Sequence, residues 1–303
     1  MKLRAFLRLA ARIALGLALL AAVVWYADPQ ALLVQLQGVD ATWFALGLAA
    51  SIVSNVVSAA RWAAIARGLG LAAPLGRSVL SYFRGMTMNV LLPGATVSGD
   101  LLRGYELSRL EKNPLLRSGL SVLLDRLSGL WVLCAMSLAA VLAALAMHLL
   151  PLDEAVTLYI VGLALALALP WVPVPFPQWE AGRRQALESE GPIIRSMWLS
   201  VLVQVFSAAA LWMFGFAAGL QLAYPVMLAA AAPIFIMGAL PLGWGGFGAR
   251  ELSAVVVLGV LDVTADQATA TALLYGISAV VQGIVSAPLF LLRGRSPKAD
   301  EVA

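Results

Sequence analysis

The chain has 303 residues, of which 62% are hydrophobic and only 12% are charged, with a net charge of +4. A soluble domain has about 45–50% apolar and about 25% charged residues, so this composition excludes that class and predicts an all-α polytopic membrane protein. The basic residues are confined to a few loops and do not indicate nucleic-acid binding. A single cysteine, Cys134, excludes an internal disulfide and a metal site built from several cysteines.

The first predicted span, residues 9–27, follows a basic N-terminus and is read as uncleaved because no A-x-A site closes it. Residues 29–40 form a short connector, and residues 41–67 form the second span. Near the end of that span we expect Arg61 to extend to the cytosolic interface and Trp62 to anchor there.

The next apolar run, 78–92, ends at Pro93 and is too short to span comfortably. A group of charged residues follows at Glu106, Arg109, Glu111, Lys112 and Arg117. If those charges are cytosolic, residues 78–108 enter and leave the membrane on the same side. The pattern therefore predicts a re-entrant helical hairpin, whose broken backbone must be covered by protein or a wet cavity.

Beyond residue 108, three uninterrupted spans and a second broken segment precede the final span. In chain order the predicted elements are a span at 118–150, an external loop at 151–154, a span at 155–175, a cytosolic loop at 176–195, a span at 196–220, a segment at 225–262 broken at 241–248, and a final span at 267–292. The whole chain, 1–303, is expected to form one membrane domain.

Lysine and arginine are absent from four loops, at 28–40, 151–154, 221–224 and 262–266. The positive-inside rule then places both termini in the cytosol and makes the second hairpin open to the exterior. Residues 41–150 and 196–293 thereby form two units of opposite orientation. The predicted architecture is six full spans plus two re-entrant hairpins in an inverted-topology repeat. The rival interpretation, eight full spans, requires arms that are short for crossing.

Charged side chains within apolar segments are costly and mark candidate sites. The candidates for substrate binding are Arg61, Arg84, Asn89, Asp100, Arg103, Glu106, Asp125, Arg126, Arg250 and Glu251. Arg103 and Arg250 each follow a glycine-rich break, where a helix N-terminus and a bidentate guanidinium favour a phosphate. The alternative is internal pairing. Asp125 points away from its neighbour Arg126, so each is expected to pair with a hairpin residue.

Proline and glycine mark the breaks of both hairpins. They are Pro93, Gly94 and Gly99 in the first, and Pro241, Gly245, Gly246 and Gly248 in the second. Two interrupted segments in corresponding halves of a chain are typical of a transporter's binding site. The glycines are equally compatible with a plain role in close helix packing.

Taken together, three groups of these residues resemble the lysylphosphatidylglycerol synthase transmembrane-region family. The groups are Asn89 to Pro93 with Gly99, Asp100 and Arg103; Asp125 and Arg126 with Gly129; and Pro241 with Gly245, Gly246, Gly248, Arg250 and Glu251. Asp100 stands where the family often has Glu. The resemblance covers about residues 35–290 and implies a flippase-like domain in a bacterial cytoplasmic membrane. No soluble aminoacyl-transferase domain follows, so lipid lysylation is not expected.

The leading hypothesis is a flippase that moves an anionic phospholipid or a polyprenyl-linked glycolipid. No nucleotide-binding G-x-x-x-x-G-K-[ST] motif occurs, and no cofactor or metal is expected. A non-catalytic partner of a lipid- or glycan-modifying enzyme is the second reading. An integral-membrane lipid transferase is the third, but grouped histidines or paired acids that would support it are missing from the sequence. The head group and the oligomeric state stay open.

Overall fold

The computed structural model describes residues 29–92, 97–110, 113–169, 190–240 and 246–291, with residues 18, 21, 24 and 25. Regular structure in these ranges is entirely helical, which confirms the predicted all-α polytopic membrane fold. Several predicted features lie outside the described residues. They are most of the first span, four of the break residues (Pro93, Gly94, Pro241 and Gly245), and residues 176–189 of the predicted cytosolic loop.

A short helix and two long helices flank a pair of half-length helices in the first part of the chain. In order they are α1 (Pro29–Gln37), α2 (Ala41–Gly68), α3 (Leu75–Leu91), α4 (Val97–Ser108) and α5 (Leu115–Ala146). Helix α3 has 17 residues and α4 has 12. These two helices lie antiparallel, because Gly99 near the start of α4 contacts Gly85 and Asn89 near the end of α3. We call this pair hairpin A.

The second part of the chain repeats the same order of helices after one additional helix. It comprises α6 (Glu154–Ala168), α7 (Glu190–Ala217), α8 (Tyr224–Ala239), α9 (Ala249–Gly259), α10 (Ala265–Val285) and a short 3-10 helix, η1 (Ala287–Leu291). Helices α8 and α9 are antiparallel, with Gly246 and Arg250 against Gly238. We call this pair hairpin B.

Four helical stretches are long and apolar enough to cross a membrane: Ala41–Gly68, Leu115–Ala146, Ser196–Ala217 and Ala265–Leu291. They coincide with four of the six predicted full spans. Helix α6 is apolar and has only 15 residues, beginning at Glu154, just before the predicted 155–175 span.

Helix boundaries follow from capping groups that the loops supply. The Asp40 carboxylate accepts bonds from the backbone N–H of Thr42 and Trp43 at 2.7 and 3.1 Å, and Asp153 caps α6 through Val156 N–H at 2.8 Å. Such caps satisfy donors that have no partner within the helix. The polar loops therefore set where the apolar helices begin.

Helices α2 and α7 form the antiparallel centre of the bundle. The Asp40 N–H donates to the Ala217 carbonyl at 3.0 Å, and at mid-length Ser54 Oγ lies 2.7 Å from Ser207 Oγ. Gly47 lies directly beneath the Phe214 ring, with no room for a Cβ. Small and hydroxyl side chains let the two backbones approach closely, as is common between helices in membranes.

Each long helix that closes one half of the chain packs against the hairpin of the other half. Helix α5 lies on hairpin B, where Ser137 Oγ donates to the Leu228 carbonyl at 3.0 Å. Helix α10 lies on hairpin A, where Thr87 Oγ1 donates to the Gly283 carbonyl at 2.7 Å. This reciprocal exchange holds the two halves together and buries one face of each hairpin against a long helix of the other half.

The hairpin glycines are required by backbone contact. A Cβ at Gly99 would overlap the Gly85 carbonyl and come within 2.7 Å of Asn89 Oδ1. In hairpin B, Gly246 has φ +80° and lies against the Gly238 carbonyl in the same way. The close-packing role of Gly99 and Gly246 is thus seen directly.

We expect Gly99→Ala to destabilise the protein by about 1–3 kcal/mol, because the added methyl group overpacks a backbone contact. The matched control is Gly119→Ala, since a Cβ at Gly119 meets nothing within 4 Å. Thermal unfolding of the purified proteins in detergent, followed by size-exclusion chromatography, measures the difference. Equal unfolding midpoints for the two variants would contradict this account of hairpin A.

Candidate functional site

Three helices bring five charged side chains into one continuous array. Helix α2 supplies Arg61, α4 supplies Asp100 and Arg103, and α5 supplies Asp125 and Arg126. We call these five residues the charge cluster. Its members alternate in sign, and each cation contacts at least one carboxylate.

Asp125 is the buried centre of the charge cluster, with a side chain only 2% exposed. Its Oδ1 accepts from Arg61 Nε at 2.8 Å, and its Oδ2 accepts from Arg103 Nη2 at 2.9 Å. The predicted pairing of Asp125 with a hairpin residue is confirmed. A carboxylate with a cation on each oxygen is well suited to burial, since both lone-pair edges are used.

Asp100 is the second carboxylate and lies nearer the surface of the bundle. Arg126 holds it with two bonds, Nε to Oδ2 at 2.8 Å and Nη2 to Oδ1 at 2.9 Å. Arg103 Nη1 also donates to Oδ1, at 3.2 Å. Arg126 is 35% exposed, whereas Arg103 is 3% exposed. The charge cluster therefore runs from a buried end at Arg61 to a partly open end at Arg126.

The expectation that Arg61 extends to the cytosolic interface is wrong. Its side chain is buried, and its Nη1 also donates to Ser200 Oγ at 3.4 Å. Gly129, one turn beyond Asp125, makes this possible, because a Cβ there would lie 2.7 Å from Arg61 Nη1. A buried carboxylate within reach binds Arg61 more strongly than distant interfacial water.

The prediction that Trp62 anchors at the membrane interface is also wrong. This residue is 1% exposed, and its Nε1 donates to Ser121 Oγ at 3.1 Å. The Arg103 guanidinium carbon lies 4.4 Å from the centre of the Trp62 ring and 4.5 Å from that of Tyr82. The two rings hold the cation by cation–π contact and fix its plane.

Arg84 and Glu106, two further predicted site residues, form a separate pair. Arg84 Nη1 donates to Glu106 Oε1 at 3.0 Å, and its Nε and Nη2 donate to the Leu289 carbonyl at 3.1 and 2.8 Å. Its guanidinium also lies over the Phe290 ring. This pair ties η1 to hairpin A, a contact between distant segments that no local pattern indicates.

Asn89 caps helix α4 from the last turn of α3. Its Oδ1 accepts from the Gly99 N–H at 2.7 Å and lies 3.1 Å from Ser98 Oγ. One of the free N–H groups expected to attract an anion is therefore already bonded. Asn89 thereby joins the two arms of hairpin A.

Hairpin B holds a smaller charged site made by neighbouring residues. Arg250 Nε and Nη2 donate to Glu251 Oε1 at 3.1 and 2.7 Å. Glu251 Oε2 accepts from the Gly248 N–H at 2.6 Å, which caps α9. Gly248 has φ +88°, a conformation that favours glycine. Gly276 lies against the Arg250 guanidinium, much as Gly129 lies against Arg61.

Arg103 and Arg250 each contact a residue that lies ten positions from the start of a long helix. Asp125, the partner of Arg103, is ten residues from the start of α5, or about 15 Å at 1.5 Å per residue. Tyr275, whose ring centre lies 5.9 Å from Arg250, is likewise ten residues into α10. The structure thus places Arg103 and Arg250 in two different sites, with Arg84 and Glu106 as a further pair.

The sequence analysis missed the neutral and aromatic groups that support the charges. Around the charge cluster these are Tyr82, Ser121, Ser200 and Gln204, and around Arg250 they are Phe247 and Tyr275. Asn55 and Gln282 also join α2 to α10, with a 2.9 Å bond. In the sequence these residues are isolated polar or aromatic positions within apolar helices, a pattern that does not show which charged residue they contact.

An apolar cavity of about 250 Å³ lies elsewhere, between α5, α6, α8 and α9. Val141 and Tyr159 are among its lining residues. Val141 is 16 residues beyond Asp125 on α5, about 24 Å along the helix. The cavity is therefore distinct from the charge cluster.

We expect Asp125→Leu to destabilise the protein by about 3–5 kcal/mol, since it leaves Arg61 buried with no carboxylate partner and Arg103 with Asp100 alone. Glu154→Leu, which removes an exposed carboxylate at the start of α6, is the control and should unfold like the wild type. Thermal unfolding in detergent compares them. An unchanged midpoint for Asp125→Leu would mean that the charge cluster contributes little to folding.

The comparisons with known proteins bear on the whole bundle. No curated protein matches the chain. The family model described as the lysylphosphatidylglycerol synthase TM region matches residues 13–286, a range that includes both hairpins and the charge cluster. On this match, which covers most of the chain, the protein belongs to the lysylphosphatidylglycerol synthase transmembrane-region family.

Proposed function

We propose that the protein is a flippase that moves an anionic lipid, a phospholipid or a polyprenyl-linked glycolipid, across the cytoplasmic membrane. The observation that carries the proposal is the pair of buried hairpin arginines, Arg103 and Arg250, one in each half of the bundle. Charged residues inside membrane bundles are rare and mark substrate or ion pathways.

Short hairpin arms support a re-entrant arrangement. Helix α4 has 12 residues and α9 has 11, about 18 and 17 Å, against a hydrocarbon thickness of about 30 Å. The reciprocal packing of α5 on hairpin B and α10 on hairpin A supports an inverted-topology repeat. In this arrangement hairpin A opens to the cytosol and hairpin B to the exterior, with both chain termini in the cytosol.

In the proposed mechanism the lipid head group enters along one hairpin and leaves along the other, while its hydrocarbon chains stay in the bilayer. The main barrier to unassisted crossing is the loss of water from the charged head group. A guanidinium compensates that loss by donating two parallel hydrogen bonds to phosphate. Arg103 and Arg250 would bind the phosphate in turn from opposite sides.

The apolar cavity does not enter this mechanism, and every arginine of the charge cluster is already paired with a carboxylate. Phosphate must therefore displace a carboxylate from Arg103, so binding is an exchange of ion pairs. An exchange of this kind exposes no bare charge to the interior, which keeps the cost of opening low.

Thiol labelling in intact cells, in a Cys134→Ser background, tests the proposed topology. Single cysteines replacing Gln37, Asp153 and Gln221, which are exposed, should react with an impermeant reagent from outside. Cysteines replacing Gly76 and Arg117, also exposed, should react only after the cells are opened. Labelling of positions 117 and 153 from the same side would reject the arrangement.

We predict that Arg103→Lys and Arg250→Lys each reduce lipid translocation by about tenfold or more, because lysine keeps the charge but loses the bidentate fork. The assay is dithionite quenching of a fluorescent lipid in liposomes that contain the purified protein. Arg117→Lys, at an exposed position, is the control and should translocate like the wild type.

The double variant Arg103→Ala with Asp125→Ala tests the alternative that Arg103 is only a counter-ion. Near-normal translocation by this variant would overturn the phosphate-binding role. Chemical conversion of the lipid during the assay would instead indicate a transferase. If the protein neither transports nor converts the lipid, the result would indicate a partner subunit of a lipid-modifying enzyme.

A further inference from the structure

The charge cluster contains one more cation than carboxylates. Arg61, Arg103 and Arg126 face Asp100 and Asp125, so the net charge is +1 among the side chains that the structure describes. The pairs Arg84–Glu106 and Arg250–Glu251 match one to one. An unmatched charge in a buried site is costly unless a ligand of opposite sign compensates it.

Arg103 is the cation that both carboxylates share. If it lets go of both, Asp125 keeps Arg61 at 2.8 Å and Asp100 keeps the two bonds from Arg126. Each carboxylate therefore still has one arginine partner after Arg103 is released. The connectivity allows Arg103 to take an external anion without leaving either carboxylate unpaired.

Two buried donors on hairpin A also lack partners among the described residues: Arg103 Nε and Ser81 Oγ. Ser81 and Gly85 lie one turn apart on the same face of α3. The Arg103 side-chain carbons lie 3.4 Å from the position of a Cβ on Gly85, and its guanidinium lies on the Tyr82 ring. In the antiparallel register of hairpin A, Ser81 and Arg103 thus face each other.

We propose that the charge cluster takes one monoanionic phosphodiester group, bound by Arg103 and by the Ser81 hydroxyl. This inference rests on the proposed function and narrows its substrate to lipids with a single negative charge at the phosphate. With that group bound, each of the three arginines has one anionic partner. The net charge of the site falls from +1 to zero.

The same count disfavours other head groups. A phosphate monoester or pyrophosphate carries about two negative charges above its second pKa of about 6, and would leave the site at −1. A zwitterionic head group brings its own cation beside Arg126, where it meets like charge. Charge matching of this kind gives selectivity through repulsion of the wrong ligand.

The experiment uses the full-length protein in liposomes at pH 8.5, with three acyl-labelled probes: phosphatidylglycerol, phosphatidic acid and phosphatidylcholine. We expect the wild type to move phosphatidylglycerol faster than either other lipid by about tenfold or more, since one uncompensated charge in a partly buried site costs at least that factor. Equal rates for the three lipids would overturn the proposed charge selectivity while leaving a flippase in place. No movement of any of them would overturn the proposed function as well.

Three variants then test the charge count directly. Asp100→Asn raises the charge cluster to +2 and should shift the preference toward phosphatidic acid. Arg126→Gln lowers it to zero and should abolish the advantage of phosphatidylglycerol. Their combination returns the charge cluster to +1 and should restore that advantage. Asp100 and Arg126 are both partly exposed, so these substitutions by neutral polar residues are compatible with folding.

Glu154→Gln is the matched control, because it changes the net charge of the protein by the same amount at an exposed position. Its lipid preference should equal that of the wild type. Ser81→Ala should slow phosphatidylglycerol movement without changing the ratio to phosphatidic acid. An unchanged preference in both Asp100→Asn and Arg126→Gln, with monodisperse protein on size exclusion, overturns the inference.

Discussion

The structure depends on the burial of Asp125 between Arg61 and Arg103. A lone carboxylate at this depth would lose its hydration and find no partner in the apolar surroundings, which is among the largest single penalties a fold can carry. Two guanidiniums remove that penalty and, because they come from α2 and α4, they also fix how hairpin A sits against α2 and α5. The same two ion pairs therefore both neutralise Asp125 and fix the position of hairpin A.

Glycine provides the space that this constraint requires. Gly129 lets the Arg61 guanidinium lie on the surface of α5, and Gly276 does the same for Arg250 on α10. Gly99 and Gly246 let the arms of each hairpin touch through backbone atoms. The glycines near the charges therefore act by admitting a bulky cation or a neighbouring backbone, and the proposed anion site is made by side chains.

The two halves of the bundle are alike in helix order but unequal in charge. Arg103 is held by two carboxylates and two aromatic rings, whereas Arg250 is held by the single carboxylate next to it in the chain. A transporter with two identical half-sites would bind its substrate equally on both sides. In the proposed flippase, this inequality would give a physical basis for a preferred direction or a preferred head-group charge.

The sequence by itself determined the membrane class, most helix boundaries and the list of charged candidates. These features depend on local properties: the length of each apolar run and the prolines, glycines and capping residues between runs. The predicted helix boundaries therefore differ little from those in the structure, as at the caps Asp40 and Asp153. It also indicated that Asp125 would pair across helices, because neighbours on one helix point apart.

The tertiary structure alone decided the partners. Arg61 was expected at the interface and Trp62 beside it, yet both are buried, because Asp125 lies 64 residues away in the chain but within hydrogen-bonding distance in space. Which carboxylate holds which arginine depends on helix rotation and register across the bundle, and no local pattern of residues encodes these.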